Sequence, residues 1–120
     1  MQLPRLYRRG VVRPLDEQAA NELATYHVDI PIRVEWLAVP GDDQFDEIWE
    51  AGVLQQINEA CGVDISDYEE TEVKASEVSK ALHVVRNTVH DNVDVTMFVE
   101  GLKALLEEAE AMTSSVYFIF

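Results

Sequence analysis

The chain predicts an α+β domain of four helices packed on a small sheet, and three observations predict it. Apolar stripes at helical spacing run through 44–61 and 95–112 and, more briefly, 15–27 and 76–90. Residues 29–39 alternate with period two, the pattern of a half-buried strand. The segment 116–120, Val-Tyr-Phe-Ile-Phe, is apolar throughout and rich in strand formers. Segregated helices and strands of this kind make an α+β fold. With 120 residues, 48% of them hydrophobic, a single domain 1–120 buries about two-thirds of its unfolded surface and needs no metal or disulfide staple.

Each element has a local cause. Leu3, Leu6, Tyr7, Val11 and Val12 fit a short strand interrupted at Gly10, with Pro4 and Pro14 as stops, so 1–13 reads as a basic arm or an edge strand. Helix 15–27 places Leu15, Ala19, Leu23 and Tyr26 on one face, with Asp16 and Glu17 in its first turn, where the helix dipole favours acids. In strand 29–39, Ile30, Ile32, Val34 and Trp36 share one side. Pro31 points to an edge at its start, and Pro40-Gly41 ends it.

Helix 44–61 carries Phe45, Ile48, Trp49, Gly52, Val53, Ile57, Ala60 and Cys61 on one stripe and stops at Gly62. Gly52 costs about 1 kcal/mol in a helix interior. Two explanations stand: another backbone packs close there, or the helix breaks. A connector, 63–75, includes an extended piece at Thr71–Lys74. Ser76 caps helix 76–90, which buries Val78, Leu82, Val85 and Val89. Asp94 caps the last helix, whose stripe is Val95, Phe98, Val99, Leu102, Leu105, Leu106, Ala109 and Met112. The segment 116–120 reads as an inner strand buried on both faces.

Charge is divided along the chain. Arg5, Arg8, Arg9 and Arg13 give 1–13 a formal +4, while 14–120 holds all 23 acidic residues against five basic ones, a formal −18. A body this negative repels phosphates, so nucleic-acid binding by it is disfavoured. The arm's nearest partners are the protein's own acids or those of a neighbouring subunit, ahead of a phosphate backbone. No apolar run reaches the ~20 residues of a membrane span, and the N-terminus lacks a signal-peptide core. The expected location is the cytoplasm, with no membrane partner.

Candidate chemistry is sparse. Cys61 is the only cysteine and its neighbours in sequence are acids, which favours a buried thiol over a nucleophile. His83 and His90, seven residues apart, stand about 10.5 Å apart along a helix, too far to share a metal. Those two and His27 read as structural or exposed. Asp42, Asp43, Asp46 and Glu47 at the start of helix 44–61 have the spacing of helix-dipole acids, without a calcium-loop pattern. There is no phosphate-binding glycine loop and no nucleophile elbow. The expectation is therefore no cofactor, no metal and no catalytic residue, with an enzyme less favoured than a non-enzyme but left open.

What is left is the acidic connector. Asp64, Asp67, Tyr68, Glu69, Glu70 and Glu72, with Ser66 and Glu69 at capping-box spacing, read first as an ordinary solvated connector and second as a recognition surface for an Arg/Lys-rich protein. In size and acidity the chain resembles small acidic bacterial proteins, some of which are immunity partners to toxins. The leading expectation is a protein-binding module, an inhibitor or immunity-type factor for a basic partner. The alternative is a structural homo-oligomer in which the basic arm lies on an acidic neighbour. An enzyme with an unrecognised site comes third.

Overall fold

Residues Val116–Phe120 are buried along their whole length, none more than 2% exposed. Val116–Ile119 form a strand that pairs antiparallel with Gly10–Pro14 on one side and Glu70–Val73 on the other. This is the inner strand that its two-sided apolar pattern predicts. The computed structural model describes residues 9–25, 32–39, 41–67 and 70–120. Expectations on Pro4, Leu3, Arg5, Leu6, Tyr7, Arg8, Tyr26, His27, Ile30, Pro31, Pro40, Tyr68 and Glu69 lie outside the described residues.

In chain order the elements are β1 (Gly10–Pro14), α1 (Glu17–Thr25), β2 (Val34–Ala38), α2 (Asp42–Ala51), α3 (Val53–Cys61), β3 (Glu70–Val73), a 3₁₀ turn (Ala75–Glu77), α4 (Val78–Arg86), α5 (Val93–Met112) and β4 (Val116–Ile119). The sheet is antiparallel throughout, in the order β2-β1-β4-β3. Strand alternation divides its side chains between two cores. Val11, Val73, Val116 and Phe118 join the large core built by α2, α3, α4 and α5, while Val12, Tyr117 and Ile119 meet Leu23 of α1 on the opposite face. Two cores explain why both parities of β2 are apolar: Leu37 packs with the large one, Ile32 and Val34 with the small one.

The sheet departs from expectation at β1. Residues 10–13 are an inner strand rather than an arm or an edge, because β2 and β4 flank them and Val11 and Val12 are wholly buried. Gly10 is the first residue of the strand. A side chain there would collide with the indole of Trp36 across the pair. Buried Arg13 is tolerated because its Nε lies 3.1 Å from Glu35 Oε1, its register partner on β2.

Five helices, not four, appear among the described residues, because 44–61 divides at Gly52. Gly52 adopts φ 87°, a left-handed conformation, and its N–H donates to Trp49 O at 3.0 Å. Nothing crowds it: the nearest atom to an added Cβ is the flexible end of Gln56. The helix break is the correct explanation and the close-packing one is not. The close approach occurs at Gly101 on α5, where a Cβ would stand 2.8 Å from Leu37 Cδ1.

Helix ends differ as well. Asp16 is an N-cap, accepting from Ala19 N at 2.8 Å, and Leu15 before it is exposed. Ser76 sits in the 3₁₀ turn and caps nothing. Helix α4 ends at Arg86, where Asn87 Nδ2 donates to His83 O at 2.7 Å and Thr88 Oγ1 to Val85 O at 2.9 Å. Those side chains take up carbonyls that a longer helix would use, so Val89 stands 92% exposed. On α5 the cap is Asn92, accepting from Val95 N at 3.1 Å; Asp94 lies inside the first turn, and Met112 is exposed.

Removing residues 116–120 opens both cores, leaves β3 without a strand partner and strips β1 of one of its two. The truncated chain is expected to lose cooperative thermal unfolding by circular dichroism. Gly52→Ala is expected to cost about 1–2 kcal/mol in urea denaturation, whereas Gly at a right-handed helical position would be improved by the same change.

Candidate protein-binding surface

The acidic connector between α3 and β3 is anchored at defined points. Gly62, with φ 67°, ends α3 and turns the chain. Ile65 then plugs into the large core, fully buried. The carboxamide of Asn58 grips its backbone from both sides, Nδ2 donating to Ile65 O at 3.0 Å and Oδ1 accepting from Ile65 N at 2.7 Å. Thr71 Oγ1 donates to Asp64 O at 3.3 Å, tying the loop to the start of β3.

Arg9 supplies the next anchor. Its Nη2 lies 2.8 Å from Asp42 Oδ1 and 3.1 Å from Asp67 Oδ1, and its guanidinium stands 5.0 Å from the Phe45 ring centroid. Phe45 packs in turn on Phe120, ring centroids 4.9 Å apart. One cation thus joins the connector to the start of α2, which spacing along the chain does not reveal. Arg9 and Arg13 both pair with acids of their own chain, as proximity predicts.

Of the six residues expected in the site, the structure describes Asp64, Asp67, Glu70 and Glu72. Asp64 is exposed, with no ion pair among the described residues; Asp67 is half-buried and held by Arg9. Glu70 and Glu72 lie two apart on edge strand β3, on one face of the sheet, where Glu72 Oε2 accepts from Tyr117 Oη at 3.3 Å. Ser66 and Asp67 lie in no helix, and Glu69, the other half of the capping-box spacing, lies outside the described residues.

Around this surface the negative charge is in excess. Four of the five basic residues in 14–120 are already matched: Arg33 with Asp16, Lys80 with Glu77, Arg86 with Glu107 and Lys103 with Glu100. Exposed Asp43, Asp46 and Glu50, at spacings of three and four along α2, have no ion pair among the described residues. No group of three His, Cys, Asp or Glu side chains is placed to hold a metal among the described residues. His83 is exposed on α4, while His90 lies beyond that helix and shares no face with it. No described helix is long and apolar enough to cross a membrane.

A second feature adjoins the acids. Between β2 and the first turns of α2 and α5 lies an open groove of about 270 Å³, floored by Val39, Ile48 and Phe98 and bordered by Leu37, Met97 and Asp94. Sequence periodicity assigned Phe98 and Ile48 to the core and gave no sign that the core opens there.

Arg9→Ala is expected to destabilise the fold by about 1–3 kcal/mol and to speed amide hydrogen exchange across 63–67, since it unties Asp67 from α2. Burial, with the Glu77 carboxylate second, raises the thiol pKa of Cys61 above its usual value. Only the thiolate reacts, so alkylation by iodoacetamide at neutral pH is expected to be slower than for an exposed cysteine, with its pH midpoint shifted upward. No family model, curated protein or solved structure matches this chain.

Proposed function

We propose that this chain is a protein-binding module whose acidic face docks onto a basic protein partner, in the manner of an inhibitor or immunity-type factor. The observation that carries the proposal is the anchored connector. Asn58, Ile65 and Arg9 hold the backbone of 62–67 in one place while Asp64 projects to solvent. A pre-ordered loop loses little conformational entropy on binding, so its charges act at low entropic cost. Asp42 and Asp67, brought to one guanidinium, join the connector's field to that of α2. Such a field steers a cationic partner and raises its association rate, most strongly at low salt.

The experiment compares protein captured from a lysate by the immobilised chain and by its Asp64→Lys/Glu70→Lys variant. The wild-type chain is expected to retain a basic protein that is released by added salt, and the variant to retain much less. Asp64 is exposed and Glu70 is half-buried on the edge strand, so the variant's Tm is expected to fall by no more than about 5 °C. Equal capture by both chains would reject the acidic docking face.

A further inference from the structure

We propose that the groove between β2, α2 and α5 receives an apolar side chain presented between Lys or Arg residues of the protein partner. This rests on the basic-partner proposal and deepens it, by giving the acidic surface a point of insertion. The groove's floor is apolar and buried: Val39 and Ile48 are 2% exposed and Phe98 is 6% exposed. Its wall continues outward through Met97 and, one turn earlier on α5, Val93, both about 70% exposed. Two large apolar side chains in water beside an open apolar groove form a contiguous patch of the kind that marks a contact surface. Methionine adapts its shape to what it meets.

Charge selects the occupant. Asp94 stands at the mouth with no ion pair among the described residues. Helix α2, the opposite wall, carries Asp42, Asp43, Asp46, Glu47 and Glu50, and neither α2 nor α3 holds a lysine or arginine. The first base on α5 is Lys103, already matched by Glu100. Arg9, beside α2, is shared by Asp42 and Asp67. Like charges at helical spacing on α2 repel by about 0.2–0.5 kcal/mol per pair, and the helix dipole favours only the acids of the first turn, Asp42 and Asp43. A cationic segment would offset the remaining repulsion. A second copy of this chain would bring acid against acid. A cavity of about 270 Å³ falls short of the ~300–1,000 Å³ typical of small-molecule sites, but suits an inserted side chain.

The test uses the full chain with ¹³C-methyl methionine and ¹⁵N labels, titrated with short peptides of defined design. One set places a central Leu or Phe between arginines; a second replaces that residue by Ala; a third replaces the arginines by Glu. The first set is expected to shift the Met97 methyl and the Leu37 and Ile48 amides, with affinity falling as salt rises. The second and third sets are expected to bind at least about tenfold more weakly. Asp94→Asn is expected to weaken the first set and flatten its salt dependence, with the circular dichroism spectrum unchanged. Equal binding of arginine- and glutamate-flanked peptides would overturn the proposal, as would a total absence of shifts. Concentration-dependent broadening at Met97 without peptide would assign the groove to a second copy and also overturn it. Shifts confined to Asp64 and Glu70 would overturn the groove while leaving the acidic docking face standing, so the two failures are distinguishable.

Discussion

The fold depends on burying β4 on both faces. Tyr117 and Ile119 serve the small core with α1, while Val116 and Phe118 serve the large one, so β4, like β1 beside it, belongs to both packings. Fully burying one such side chain contributes about 1.5–3 kcal/mol, and β4 brings four together with Phe120 beside them. Its neighbours inherit the constraint. β1 must be apolar on both sides because it lies next to β4, and β3 must supply Val73 inward and carboxylates outward because it is the edge.

How much of this was legible in the sequence varies with the kind of signal. α5 and β4 were plain, since one has a long stripe at helical spacing and the other has no polar residue. β1 was not, because Gly10, Arg13 and Pro14 look like strand breakers until Trp36 and Glu35 are seen across the pair. The break at Gly52 stood only as the rival of two readings, for a different reason. Phe45, Ile48, Val53 and Ile57 keep a helical stripe through it, and only the left-handed backbone of Gly52 separates the two helices. Val89 extended the stripe of α4 in sequence, yet Asn87 and Thr88 had already closed the helix through side-chain hydrogen bonds.

The candidate site shows the same division. An acid-rich connector is visible as composition, but its anchoring is tertiary. Asn58 reaches Ile65, and Arg9 reaches Asp42 and Asp67 from the far side of the sequence. The groove was out of reach for a simpler reason: its floor consists of residues that periodicity assigns to the core, and an opening in a core leaves no mark on periodicity. Composition shows where charge is; packing decides which charge is held still.

The pairing of β1 with β4 has a kinetic side. Gly10 meets Ile119 across more than a hundred intervening residues, whereas β1 meets β2 and β3 meets β4 over much shorter spans. Closing so long a loop spends chain entropy before any contact repays it. The two local strand pairs with their helices are therefore expected to assemble first, and the β1–β4 seam last. Topologies dominated by such distant pairings fold in milliseconds to seconds rather than microseconds. Until that seam closes, β1 and β4 each present an open apolar edge, which is the interval in which this chain is most exposed to aggregation.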